Sequence, residues 1–376
     1  MKVKNGLALA VALLMFPQLA QTLYSPALAD IGQAFAVGPE RAGQTLSVYF
    51  LAFAFGVVVW GLLCDRWGRR PAMLAGLSLY MAASVLALSV VTFNGLLIAQ
   101  AIAAFGAAVG SVVTQTVLRD RFHGAELAGV FSVVGIALAA SPALGLFSGA
   151  TLVQQFGYRG VLVGLLVLAL VLWCWCLWRL PETRPAFLPI ASLCETLGLM
   201  LRDAGIWRSV GLVAAFNIAL FSYYSIGPFL FDKLGLSALE FGYSGVLLAL
   251  GSGLGALLNK VLLKREVRSE HLVPVAAGMA VLGGLLVVML QESWLFVWPM
   301  LLVVLAFGMA IPNVLGSALT AYRDRLGTAA AVFGLLYYLA IGVGLSLVGW
   351  AQSLGWSLLT CGLAALWLTV PRSLRS

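Results

Sequence analysis

Gly61-Leu-Leu-Cys-Asp-Arg-Trp-Gly-Arg-Arg-Pro71 stands between two long apolar segments, and its reading decides the fold. It puts Arg66, Arg69, Arg70 and one carboxylate, Asp65, into a turn too short to be a domain. Charge at that density is not tolerated in hydrocarbon, so the turn sits at a membrane face. Its positive excess predicts that this face is cytoplasmic. Gly61 and Gly68 are expected to let backbones approach closely, and Pro71 suits the first turn of a following helix.

Composition agrees. The chain is 62% hydrophobic and 10% charged, with a mean hydropathy of +1.03. Soluble proteins carry about 25% charged residues. The net charge of +8 points to no nucleic-acid partner, because the basic residues form no patch interleaved with aromatics. Cys64, Cys174, Cys176, Cys194 and Cys361 include no CxxC pair and read as small apolar fillers. His123 and His271 fall in charged loops, so neither a metal site nor a cofactor is expected.

A window of about 20 residues predicts spans 1 to 6 near 7–29, 42–63, 71–91, 95–118, 127–149 and 158–179. Spans 7 to 12 follow near 208–231, 239–262, 272–290, 294–319, 328–350 and 352–370. Lys2, Lys4 and Ala27-Leu-Ala29 imitate a signal peptide, but an apolar run of about 22 residues is long enough to be span 1 itself. Every basic residue except Arg41, Arg159 and Lys233 then falls on one side, which puts both termini in the cytoplasm.

The halves echo one another. Pro26-Ala-Leu-Ala-Asp30 closes span 1 and Pro228-Phe-Leu-Phe-Asp232 closes span 7; Arg119-Asp-Arg121 follows span 4 and Arg323-Asp-Arg325 follows span 10. Two matches at nearly one offset predict a duplicated six-helix unit with both copies in the same orientation. The expected organisation is therefore an all-α integral membrane protein of 12 transmembrane helices in two pseudo-symmetric six-helix bundles. Residues 1–180 form the first bundle, 181–207 a cytoplasmic linker and 208–376 the second. Within the linker, Leu193, Leu197, Met200 and Leu201 recur at helical spacing, which fits an amphipathic helix on the inner leaflet or an irregular connection.

The 61–71 turn resembles the signature between helices 2 and 3 of the major facilitator superfamily. Nearly the whole chain resembles its bicyclomycin/chloramphenicol-resistance (Bcr/CflA) branch of drug:proton antiporters. The residues that carry this are Tyr24-Ser-Pro-Ala-Leu28, Gly106-Ala-Ala-Val-Gly-Ser111 leading into Arg119-Asp120, Ser141-Pro-Ala-Leu-Gly145, Leu180-Pro-Glu-Thr183, the 223–235 segment and Pro312-Asn313. The resemblance implies the major facilitator fold, a bacterial inner-membrane location and rocker-switch export of small amphipathic molecules, drugs or metabolites. Two departures stand out. Thr22 occupies a position where such antiporters usually carry an acid, and Gln100 one where they carry an arginine. Every Asp and Glu lies in a loop or at a span end. Transport coupled to protons, with Asp30 as a peripheral site, and uncoupled facilitation of a small polar solute therefore both stand; siderophore or metabolite export is a further alternative.

Substrate is expected near the midplane between the halves. Candidate lining residues are Gln18, Gln21, Thr22, Tyr24, Tyr49, Gln100, Asn217, Tyr223, Tyr224, Asn313, Tyr337 and Tyr338. Amides there line the pathway or join helices, and Tyr24, Tyr223 and Tyr224 equally suit an interfacial aromatic belt. Without a mid-span charge, a neutral or zwitterionic amphiphile fits. The gating set is Gly61, Asp65, Arg66, Gly68, Arg69, Arg70, Arg119 and Pro142. By the resemblance, Asp65 bonds the start of span 11 around Gly327–Ala330 and pairs with Arg119, contacts made in one conformation and broken in the other so that they latch the cytoplasmic gate; Pro142 removes a backbone bond and permits a bend. The expected partners are a small-molecule substrate, the lipid bilayer and protons, with the protein a monomer. An integral-membrane enzyme would need a His/Asp/Glu cluster or a nucleophile–base pair, and none is visible.

Overall fold

A computed structural model of the protein describes residues 3–184 and 192–370. Lys2, Pro185, Arg372 and Arg375 of the sequence reading lie outside the described residues, as do the side chains of Lys4 and Arg323. Ten helices among the described residues are long and apolar enough to cross a membrane. One of these, Gly129–Arg179, holds two spans, and the shorter apolar helix Leu354–Thr369 completes twelve.

Span 1 comes in three pieces, Val3–Tyr24, the 3-10 turn Ser25–Ala27 and Leu28–Ala34, with Pro26 at the break. Spans 2 to 4 are Pro39–Trp67, Arg69–Ser89 and Phe93–Arg121. Spans 5 and 6 share the helical run Gly124–Arg179, broken only at Gly157, whose φ of 64° and ψ of −170° suit glycine. Span 5 thus runs about two turns past its expected end. Spans 7 to 12 are Ala204–Lys233, Ala238–Lys264, Ser269–Leu290, Val297–Ala318, Leu326–Ala351 and Leu354–Thr369. Between spans 11 and 12 the left-handed Gln352 (φ 47°) makes the tight turn.

The duplication holds in the packing. Span 1 packs on spans 4 and 5, span 2 on 4, and span 3 on 4 and 6; their counterparts, 7 on 10 and 11, 8 on 10, and 9 on 10 and 12, all pair as well. Close approach uses glycines at matching places. An added Cβ at Gly56 would stand 2.7 Å from the Phe105 carbonyl oxygen, and one at Gly255 would overlap that of Leu305. Between helices in lipid no water is displaced, so such backbone proximity supplies the dispersion energy that holds the spans together.

The outer surface is apolar, as lipid requires. Exposed tryptophans ring both ends: Trp67, Trp178, Trp207 and Trp367 on the face of the 61–71 turn, and Trp294, Trp298, Trp350 and Trp356 on the far face. These are the interfacial belts. Tyr24, Tyr223 and Tyr224 do not belong to them; all three are buried, because their helix faces turn inward.

The linker does contain a helix, Leu193–Arg202. Its apolar stripe is spent on protein rather than on the leaflet: Met200 is fully buried and Leu193 and Leu197 pack on the core of the last six spans. Leu201 departs from that stripe and is exposed, as is Cys194.

Candidate functional site

The 61–71 turn is organised by Arg69, which is only 1% exposed. Its Nε donates to Asp120 Oδ2 at 2.8 Å, and Nη1 to Asp65 Oδ1 at 3.2 Å and to the Cys64 carbonyl at 3.3 Å. One guanidinium thus ties the ends of spans 2 and 4 to the start of span 3, and two carboxylates compensate its burial.

Gly68 adopts φ 105°, and Glu182 from beyond span 6 fills the space beside it. Glu182 Oε1 accepts the backbone N–H of Arg69 at 2.9 Å, of Arg184 at 2.9 Å and of Thr183 at 3.0 Å; Oε2 accepts that of Arg70 at 3.1 Å. The carboxylate caps the N-terminus of span 3, where unpaired amides and the helix dipole favour an anion. Burial opposes its ionisation, yet these four amides hold its carboxyl below the ordinary value. Arg70 Nη2 donates to the Leu177 carbonyl at 2.6 Å, and Arg184 Nη1 to the Arg66 carbonyl at 2.8 Å.

Two gating expectations differ from this structure, and a third concerns the other conformation. Asp65 pairs with Arg69, not with Arg119, which is exposed. Consecutive helical residues point about 100° apart, so Asp120 facing Arg69 turns Arg119 away. The bond expected from Asp65 to the start of span 11 is not made among the described residues in this conformation, in which the halves part toward the turn and an added Cβ at Gly327 would meet nothing within 4 Å. At Gly61 the nearest atom to an added Cβ is Val112 Cγ1 at 3.7 Å, an ordinary contact, so close approach belongs to Gly56 instead.

The halves meet on the opposite side. Ser25 Oγ donates to the Tyr224 carbonyl at 2.5 Å, joining spans 1 and 7. Spans 5 and 8 interlock where Gly245 faces the Pro142 carbonyl and Gly242 faces Ala150, each 2.7 Å from an added Cβ. Pro142 is thus buried at the seam between halves. Nearer the middle, Phe50 of span 2 meets Phe221 of span 7 (ring centroids 4.5 Å apart), and Phe53 meets Tyr338 of span 11 at 4.8 Å. Val57 still reaches Gly334, and among the described residues no ring pair or glycine contact joins spans 2 and 11 closer to the turn. The two groups of helices close at the far face and part toward the 61–71 turn.

The predicted lining residues divide. Tyr338 lies in the aromatic layer with the Tyr337 ring tilted against it at 4.3 Å, and Tyr224 edges onto Phe221 at 5.4 Å. Tyr24, whose hydroxyl lies near the Gln100 amide and Thr45 without bonding geometry to either, is buried beside them, as is Gln21. The hydroxyls of Tyr24 and Tyr224 and Gln21 Oε1 have no hydrogen-bond partner. Tyr49 donates to the Pro17 carbonyl at 3.2 Å, and half-buried Gln18 accepts from Thr22 at 3.0 Å through its own carbonyl.

Others serve as interhelical or local bonds here. Thr22 is fully buried against Gly145, where an added Cβ would overlap the Thr22 side chain. Tyr223 donates to Ser244 at 2.6 Å, Asn313 to Asn259 Oδ1 at 2.7 Å, and Asn217 to its own helix at Val213 (2.8 Å). Asp30 accepts the Tyr158 N–H at 2.9 Å and so caps span 6 beyond Gly157, a structural use. Sequence reasoning missed Asp120 and Glu182 as partners of the turn. The available signal was chemical: a turn with three arginines and one carboxylate leaves room for further acidic partners, and these acids follow spans that end on the same face.

Comparison with known proteins agrees with this architecture. A family model described as Major Facilitator Superfamily matches residues 10–345. An uncharacterized transporter of Rickettsia bellii (strain RML369-C) is 29% identical over 337 residues, 85% of this chain and 83% of its own. Multidrug resistance protein D of Escherichia coli (strain K12) is 28% identical over 91% of this chain and 88% of its own. A chloramphenicol resistance protein of Pseudomonas aeruginosa is 28% identical over 90% and 83% respectively. The crystal structure of a D-xylose-proton symporter shares the fold, with a TM-score of 0.81 at 16% identity over 99% of each chain.

Proposed function

The chain belongs to the Major Facilitator Superfamily, and from that premise we propose that this multi-pass membrane transporter exports small, uncharged or zwitterionic amphiphiles by alternating access. Bundles 1–180 and 208–376 rock about the aromatic layer, linked by 181–207, with the 61–71 turn on the cytoplasmic side of a bacterial inner membrane. The observation that carries this reading is the pairing of Phe50 with Phe221 and Phe53 with Tyr338 across the halves, under a far-face seal and above an opening toward the turn. Rings that a substrate must part, beside the unpartnered Gln21 Oε1 and Tyr224 hydroxyl, suit a cargo with an apolar body and a few hydrogen-bonding groups. The resistance names of two relatives support a drug as cargo.

The test is chloramphenicol counterflow in proteoliposomes, with Gln21→Leu expected to raise KM about tenfold, the loss of one hydrogen bond with desolvation included. No counterflow with this drug or with other neutral amphiphiles would sink the proposal. A second reading, uncoupled facilitation, is favoured by Thr22 being sealed against Gly145 and Asp30 being engaged as a helix cap. Substrate-driven proton flux would exclude it.

A further inference from the structure

A second cavity lies apart from the path between the halves. It measures about 210 Å³ and opens at the turn face, between the ends of spans 1, 4, 5 and 6. Its walls are apolar, with Leu9, Leu13, Val117, Leu118 and Leu180 among them, and its rim carries Arg121, Arg179 and Glu126. No residue of the last six spans contributes to it.

We propose that this cavity binds an amphipathic anion, a single negative head on an apolar chain. Packed interiors hold few voids larger than a water molecule, whereas an apolar cavity of about 150 Å³ already takes up benzene. A void of this size lined by leucine and valine therefore favours an apolar occupant over water. The rim selects the charge. Arg121 and Arg179 are both exposed, and neither forms an ion pair with a carboxylate among the described residues. Two guanidiniums against the one carboxylate of Glu126 leave a positive excess at the depth where lipid headgroups lie. Basic pockets between helices at that depth recognise anionic heads, and guanidinium matches carboxylate or phosphate with paired bonds. Thr114, 2% exposed, adds a wall hydroxyl that has no protein partner. A fatty carboxylate and an anionic phospholipid offer the same chemistry.

The test uses the purified full chain. Equilibrium dialysis with radiolabelled decanoate is expected to show one saturable site. Arg121→Gln with Arg179→Gln should weaken it about tenfold or more, as the loss of charge-assisted bonds implies. Ala10→Trp, which fills the cavity without changing charge, should abolish it. Thermal unfolding of each variant checks that the fold is kept, and the exposed arginine pair supplies the decisive result if Ala10→Trp does not fold. In parallel, native mass spectrometry after exchange into phosphatidylcholine nanodiscs with and without phosphatidylglycerol identifies the source. Decanoate binding lost in the variants assigns a free amphiphile; retained phosphatidylglycerol lost in the same variants assigns a lipid. If neither probe binds, or if the arginine pair can be removed without weakening either, the proposal is overturned. Neither outcome bears on counterflow through the path between the halves.

Discussion

Glu182 reaches back across the turn face and accepts the backbone N–H of Arg69 at 2.9 Å, so a residue beyond span 6 caps span 3. The same carboxylate bonds Arg70, Thr183 and Arg184. Local helix chemistry and the arrangement of the first six spans therefore share one side chain.

That cap sets a pH dependence. The folded pKa of Glu182 lies below its ordinary value of 4.5, so its contribution is fully present above that pH and is lost as pH falls through the folded pKa. Glu182→Gln should lower stability by about 0.5–1 kcal/mol near neutrality, the low end of capping energies because the group is exposed. Thermal melts of the two proteins should converge in acid; a gap that persisted below pH 3 or so would contradict the assignment.

Arg69 and Asp120 should behave as a coupled pair. Arg69→Met leaves two carboxylates facing one another and Asp120→Leu leaves a buried guanidinium short of its best partner, each expected to cost about 3–5 kcal/mol. The double variant should be milder than the sum by about 1–3 kcal/mol. Chemical denaturation of all four proteins measures the coupling, and additive losses would refute it.

Glycines that look alike in sequence should differ in tolerance. An added Cβ at Gly149 would overlap the Leu23 backbone, whereas one at Gly135 meets nothing within 4 Å. Gly149→Ala should therefore abolish folded protein by size-exclusion profile. Gly135→Ala should be folded and up to about 1 kcal/mol more stable.

The Ser25–Tyr224 bond should bias the conformational equilibrium. Ser25→Ala removes one buried hydrogen bond, worth about 1–1.5 kcal/mol, and should raise the far-face-open population up to about tenfold. Labelling of Ser225→Cys, 1% exposed here, by an impermeant maleimide in a background without native cysteines reads this directly. Unchanged labelling from the far face would show that the bond does not latch it.

Much of the architecture was legible in the residues themselves. Span number, the alternation of basic residues, the duplication and the linker helix follow from hydropathy, charge and helical spacing, which act over one or a few turns. The gating turn was legible as a location but not as a network. Asp65 was expected on Arg119, yet it is Asp120, one residue along, that faces Arg69. Tyr24, Tyr223 and Tyr224 read equally well as belt or pathway until the faces of their helices were known.

The reason is geometric. Hydrocarbon compels each apolar stretch of about 20 residues to become a helix, so where the chain crosses is a local property of sequence. Which face each helix turns to its neighbours is not, because a step of one residue rotates a side chain by about 100°. That rotation is decided by where glycines admit a backbone, as at Gly56 against Phe105 and Gly145 against Thr22. Only the assembled bundle determines that Glu182 caps span 3 and that Phe50 meets Phe221.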